Sequence, residues 1–258
     1  MTKSEREVEN SMKSLASGSR FAQISTDPAD KAISETLKSS VSGMEVARRN
    51  ADQAGSFAAI AEGGMSEQSN LIIRMRELAV QAASDTYSDT ERSFMQTEFE
   101  KLASEVDRIA QTSAFGSRKL LDGTSSDIDI QVGTKSDANS RITFNADTDT
   151  TLSGLGLGGL SVSEKSDARD TLEALDEGLN KISMQRSKYG ALQSRLESVG
   201  DFLSSSIENV SAANSKLADT DLAKEVSNLR KNQILQQYQS ALLQTANEQM
   251  TNALRLIA

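Results

Sequence analysis

The chain has 258 residues with 28 basic and 37 acidic side chains, no cysteine and no histidine. Without Cys there is no disulfide, thiolate nucleophile or Cys-ligated metal, and without His the usual base at neutral pH and the commonest transition-metal ligand are gone. A net charge of −9 with no basic tract argues against nucleic acid, while 4% aromatics and a single proline suit an interior of Ala, Leu, Ile, Val and Met, as in helical bundles.

No run of about eighteen apolar residues is present, so no membrane-spanning helix is expected. The start, Met1 to Glu7, has no apolar region and does not read as a secretory signal.

Residues 3–17 predict a short helix with Val8, Met12 and Leu15 on one side, stopped at Ser17-Gly18-Ser19 with Gly18 as a left-handed cap. Residues 21–26 read as irregular or extended. Asp27 and Pro28 then restart the chain, the first as a cap and the second at the first helical position.

A long helix follows. Ile33, Leu37, Val41, Met44, Ala47, Ala51, Ala54, Ala58, Ala61, Met65, Ile72, Met75, Ala79 and Ala82 recur every three or four residues, with one polar lapse at Gln68. This is a single stripe along a rod of roughly 75 Å at 1.5 Å rise per residue. Half the stripe is Ala, which lets partner backbones approach closely. The interior glycines Gly43, Gly55, Gly63 and Gly64 each cost roughly 1 kcal/mol, which packing must outweigh.

The rod should end near Ser84. Asp85-Thr86-Tyr87 is a turn, and Ser88 with Glu91 makes a capping box for a second helix over about 89–111. Met95, Phe99, Leu102, Val106 and Ile109 give that helix a face with which to fold back on the first. From about 115 to 163 the period changes. Ile128, Ile130 and Val132 alternate with polar residues, as do Ile142 and Phe144 after a polar turn at 135–139, which predicts a β-hairpin. Gly154, Gly156, Gly158 and Gly159 interleave with Leu and read as a loop. Lacking a P-loop Lys and the strand–loop–helix spacing, it is not a phosphate cradle. Asp127 and Asp129 have no EF-hand loop around them and read as solvated strand residues rather than Ca²⁺ ligands.

A second rod starts near Ser166, with Leu172, Leu175, Leu179, Ile182, Tyr189, Leu192, Leu196, Val199, Leu203, Val210 and Leu217 on its apolar side. Asp219-Thr220-Asp221 breaks it, and a last helix covers about 222–257. Between Asn232 and Ile257 the only charges are Glu248 and Arg255. Leu235, Leu242, Leu243, Met250, Leu254 and Ile257 do not share one narrow face. Such a helix is expected to be buried on several sides, which one neighbour within the chain cannot provide. The expected fold is therefore mainly α: long antiparallel helical rods in a coiled-coil-like bundle, a small β-hairpin region and terminal helices.

Several stretches resemble bacterial flagellin, the self-assembling subunit of the flagellar filament. They are Ser14 to Arg20, Asp27 to Ile33, Arg48 to Ala54, Arg74 to Gln81, Ile130 to Gly133, Glu225 to Asn228, Gln233 to Gln237 and Gln244 to Asn247. They occur in the family's order and cover most of the chain outside roughly 135–165. No large outer domain lies between the hairpin and the returning helix, so the chain looks like a minimal flagellin. The resemblance also implies that family members carry a further amino-terminal segment ahead of the position matched by Met1.

The resemblance implies a non-enzymatic structural subunit, extracellular in the flagellar filament, exported by the flagellar type III route and acting without cofactor or metal. Residues 1–26 and 218–258 would form an inner assembly region, and 27–217 a rod domain with the hairpin inserted at about 115–165. Its partners would be copies of itself and other flagellins, a chaperone on the C-terminal helix, and the filament cap and hook-associated proteins. Subunit assembly is assigned to Leu235, Leu242, Leu243, Met250 and Leu254, and to Arg20 and Phe21, for which the sequence offers no intramolecular stripe. Without partners, 232–258 is expected to be frayed. In flagellins bound by the animal innate-immune receptor, contact positions match Arg74, Leu78 and Glu98, although Ile73 stands where those flagellins carry Gln. Arg74, Arg76, Leu78 and Glu98 otherwise read as one exposed face of the bundle. The alternatives are a hook–filament junction protein and a helical signalling rod.

Overall fold

The computed structural model describes residues 3–22 and 27–257, with side chains up to Met250. Its contacts divide the chain into two compact units, residues 1–42 with 206–258 and residues 43–205. The expected boundaries at 26/27 and 217/218 fall instead inside the first unit. The described elements are α1 (Lys3–Ser17), α2 (Pro28–Ala82), α3 (Asp89–Thr112), β1 (Ala114–Phe115), β2 (Arg118–Lys119), β3 (Ile128–Gln131), β4 (Arg141–Phe144), α4 (Leu152–Leu155), α5 (Lys165–Ala218) and α6 (Leu222–Ile257).

In the unit formed by 43–205, α2 buries positions 47, 51, 54, 58, 61, 65, 68, 72, 75, 79 and 82. The steps alternate strictly between four and three, the repeat of a coiled-coil seam. Arg48 reaches Ser204, Glu62 pairs with Arg186 at 2.7 Å, Arg76 with Asp176 at 2.6 Å, and Asp85 with Lys165 at 2.6 Å. As the α2 number rises the α5 number falls, so the two rods run antiparallel. The polar position in the seam is Gln68, which is fully buried. Its Nε2 donates to the Val106 carbonyl of α3 at 3.0 Å and to the Thr150 carbonyl at 3.1 Å.

The chain reversal between α2 and α3 is built locally. Ser88 and Glu91 form the reciprocal capping box. Arg92, its side chain only 11% exposed, donates to the Ala82 and Ser84 carbonyls left open at the end of α2. The hairpin pairs β3 with β4 antiparallel, Ile130 opposite Ile142, and Asn50 of α2 donates to the Gln131 carbonyl. Phe57, Phe144 and Tyr189 meet beneath it, the Phe144 and Tyr189 rings 4.9 Å apart and edge-on.

Three local features depart from the sequence reading. A two-residue ladder, β1 with β2, turns through Gly116 at φ +63°. The Gly-rich stretch contains a single helical turn, α4, capped by the Thr151 hydroxyl and closed by Gly156 at φ +80°. Gly154 is dictated by packing, because a Cβ there would lie 2.3 Å from the Asp149 carboxyl carbon. Likewise, in α2, added Cβ atoms at Gly43 and Gly64 would fall within 2.8 Å of Thr134 and Ser113, whereas Gly55 and Gly63 face open space.

In the other unit, α1 lies antiparallel to α6. Ser19 bridges Asp219, the Arg20 amide donates to the Ala218 carbonyl, and the Thr220 amide donates to the Gly18 carbonyl. Gly18 has φ +67°, the left-handed stop. The stripe of α2 shifts phase in this unit. Ile33 is exposed, and Ser34 is buried instead, donating to Asn214 of α5 at 2.7 Å. At the start of α2 the Asp27 carbonyl accepts from the Lys31 amide, while the Asp27 carboxylate lies 3.5 Å from Arg20 rather than on the helix amides.

Candidate assembly surface

The seam between α1 and α6 is narrow, with serines at the most buried positions of α1. On α1 the most buried positions are Ser4 and Ser11, with Val8 and Leu15 half-buried in line with them; Met12, expected on this side, is half exposed. The spacing 4, 8, 11, 15 is again a four–three seam. Facing it, α6 turns Glu225, Leu229, Asn232 and Gln236 inward, and Asn232 is the one buried residue among its described side chains. Glu5 of α1 lies in the same groove as Gln236, Ser240 and Leu243.

That seam leaves the larger apolar side chains of α6 uncovered. Ile234 (65% exposed), Tyr238 (64%) and Leu242 (54%) project about a quarter-turn or more away from Asn232, and Leu235 (41%) about a sixth of a turn. Leu243 and Met250 lie in line with the seam but beyond its cover, and both are exposed. The side chains of residues 251–258, Leu254 among them, fall outside the described residues. As expected, the chain itself covers this helix on one side only; where fraying was expected, the helix runs unbroken through Ile257. No Gly or Pro interrupts its 36 residues, which are rich in Leu, Gln and Ala, so length and propensity overcome the nucleation cost.

The residues assigned to the first loop separate. Arg20 is exposed and lies 3.5 Å from Asp27 and 3.8 Å from Asp30. Phe21 is only 8% exposed, with the Arg20 guanidinium 5.7 Å from its ring centre. The expectation that Phe21 has no place inside its own chain is therefore overturned; residues 23–26 lie outside the described set.

The expected receptor positions also separate. Arg74 and Glu98 meet on an exposed face of α2 and α3 at 2.9 Å, with Glu77 on the other side of the guanidinium. Both carboxylates hydrogen-bond the Arg74 guanidinium and raise its pKa further. Leu78 is 2% exposed and belongs to the core, one turn from Met75 and Ala82, so it cannot share that face. Arg76 points to α5, bonded to Asp176. Asp129 accepts from the Thr143 hydroxyl across the hairpin, and no cluster of metal-ligating side chains occurs among the described residues. Nor is any described helix long and apolar enough to cross a membrane.

Ile234 and Tyr238 were not singled out from the sequence. They become visible once the seam is read through the polar pair Asn232 and Gln236, because residues 234, 238 and 242 then fall on another face at i, i+4 spacing.

A long helix held on one side by a narrow seam, with a second apolar face left open, is the construction of a subunit that completes its packing by assembling. Residues 1–126 match the family model for the bacterial flagellin N-terminal helical region, and residues 172–257 that for the C-terminal helical region. The chain is 35% identical over 252 residues to a flagellin of Halalkalibacterium halodurans, covering 96% of this chain and 91% of the relative. A 31.3 kDa flagellar filament core protein of Treponema maltophilum is 33% identical, with 95% and 91% covered. The crystal structure of Bacillus cereus flagellin superposes with a TM-score of 0.54 at 30% identity, covering 64% of this chain and 94% of that one. The chain belongs to the bacterial flagellin family. It is a structural subunit that self-assembles into the extracellular flagellar filament.

Proposed function

We propose that copies polymerise through the open face of α6, with Leu235, Leu242, Leu243 and Met250 buried against neighbouring subunits and residues 1–26 with 218–258 as the inner region of the filament. Residues 27–217 then form the surrounding shell. The observation that carries this reading is the exposed run Ile234, Leu235, Tyr238 and Leu242, which α1 leaves uncovered. Before assembly the same face is bound by a helical export chaperone. Covering a sticky surface during type III export gives that partner a physical purpose. The cap and hook-associated proteins meet the same subunit at the filament ends.

The test is the double variant Leu235→Asp, Leu242→Asp. Each carboxylate would be buried unpaired in the polymer, at several kcal/mol apiece, yet stays in water in the monomer. Seeded polymerisation followed by electron microscopy should show long filaments from the wild type and none from the variant, with monomer melting unchanged. Variant filaments of normal length would overturn the assignment.

A further inference from the structure

Beside the hairpin, α2 and the β1–β2 turn enclose an open cleft of about 500 Å³, lined by Ala54, Phe57, Phe115, Ile128 and Ile130, with Arg118 at its rim. Two of its walls are aromatic: the Phe57 and Phe115 rings stand edge-on with centres 6.2 Å apart. Arg118 is exposed and makes no ion pair among the described residues. Asp129, also at the rim, is already engaged by the Thr143 hydroxyl and lies 3.9 Å from Arg141.

The same unit carries Phe94 on α3, 70% exposed, the most exposed large apolar side chain among the described residues. Nothing in the chain's own fold accounts for it. Glu91 lies three residues before it and Glu98 four after, so carboxylates flank the ring along one helix face. The Arg74–Glu98 bond places this part of α3 level with the last turns of α2, whereas the cleft sits beside residues 50–57 of the same helix. From Ala54 to Leu78 the separation along the axis is roughly 36 Å. Cleft and ring therefore lie at opposite ends of one compact unit.

We propose that the cleft receives Phe94 of a second copy of this chain, its flanking carboxylates meeting Arg118. The inference rests on the filament reading above and adds a contact made by the other unit. A contact between two different surfaces is heterologous, and where its rotation does not close a ring it builds the open filament that this family forms. The cleft accommodates a third ring against Phe57 and Phe115 in an edge or offset arrangement. Glu98 accepts from Arg74 through Oε1 and Glu91 from Ser88 through Oε2, so each carboxylate turns its other oxygen to the unpaired Arg118 guanidinium, and these charges select the register.

The rival ring is Phe202, 68% exposed on α5. It lies at the cleft's own end, because neighbouring Ser204 bonds to Arg48. Its helical neighbours at i±3 and i±4 (Ser198, Val199, Ser205 and Ser206) carry no charge for Arg118. Geometry and charge both favour Phe94.

The chain has no native cysteine, so introduced thiols report without ambiguity. Full-length Phe94→Cys and Gln53→Cys chains are each mixed as minor components with wild-type chain, polymerised from seeds and mildly oxidised. Covalent dimers pairing one variant with the other are expected in filaments and not in monomers at equal concentration. Their absence from filaments holding both variants overturns the proposal. In parallel, Phe94→Asp should raise the critical concentration for assembly at least tenfold while leaving monomer melting unchanged, and assembly at the wild-type concentration overturns it. Failure of the wild-type chain itself to polymerise would instead sink the filament reading on which the proposal stands.

Discussion

Gln68 is the residue whose replacement tests most sharply how the unit formed by 43–205 is held in register. It sits in a seam whose other positions from Ala47 to Ala82 are all Ala, Met or Ile, and its amide joins α2 to α3 and to the strand-to-α4 loop. The Val106 carbonyl also lies within α3 and keeps its intrahelical partner. The Thr150 carbonyl has no such alternative among the described residues. Gln68→Met keeps the volume and removes both donated bonds. Leaving one buried acceptor unpaired should cost about 1–2 kcal/mol, partly offset because Gln68 Oε1 is itself without a partner. Gln68→Ala adds a cavity and should cost about 3–5 kcal/mol. Gln68→Glu at neutral pH faces a carboxylate towards two carbonyls in a dry site and should be the worst of the three, recovering below its own raised pKa when the acid can donate again.

Thermal unfolding followed by circular dichroism gives the ranking, since 1 kcal/mol moves the midpoint by roughly 2–4 °C in a domain of this size. The expected order is wild type, Met, Ala, Glu at neutral pH. A Met variant as stable as the wild type would mean that volume alone matters at this position. The reasoning about the two hydrogen bonds would then be wrong.

Two further outcomes follow from the contacts described. Phe21→Ala should destabilise the monomer by about 3 kcal/mol, since the ring is nearly buried within its own unit, and an unchanged melting profile would contradict that burial. Acid should weaken the bundle through its lowered carboxyl groups. The Lys165 hydrogen bond holds Asp85 below 3.8, the Arg76 hydrogen bond does the same for Asp176, and the Ser88 amide lowers Glu91 from 4.5. Each group binds a proton more readily when unfolded. Its contribution is therefore full above the unfolded value and lost as pH falls through the lower folded one. The melting midpoint should hold steady from pH 7 to about 5 and fall below 4; Asp85→Asn with Asp176→Asn should flatten that fall, and an equally steep fall in the double variant would refute these pairs as its source.

The helices and the hairpin were legible in the sequence because their signals are local. Ser88 and Glu91 form the box that their spacing announces, Gly18 takes the left-handed conformation, and Ile130 and Ile142 pair across the ladder. What could not be read depends on groups distant in the chain. Gln68 looked like a gap in a stripe because its partners, Val106 and Thr150, lie 38 and 82 residues away. The need for Gly154 comes from Asp149 folding over it, which no periodicity reports. Phe21 belongs to no stripe in the sequence because its burial arises from the way the chain turns after α1, and that turn has no repeat.

The candidate surface shows a different limit. Apolar residues around most of the α6 circumference suggested burial on several sides, yet the chain itself supplies only the seam with α1, and Leu235, Leu242 and Met250 stay in water. Hydrophobic pattern records the environment a helix occupies in its final state, and for an assembling subunit that environment lies outside the chain. A single chain can therefore leave that face bare without touching the assembly reading. The two can be told apart at Leu242 and Tyr238, which have no role in α1 packing. Changes there should leave the monomer unaffected and act only on the polymer, whereas changes at Asn232, inside the seam, should act on both.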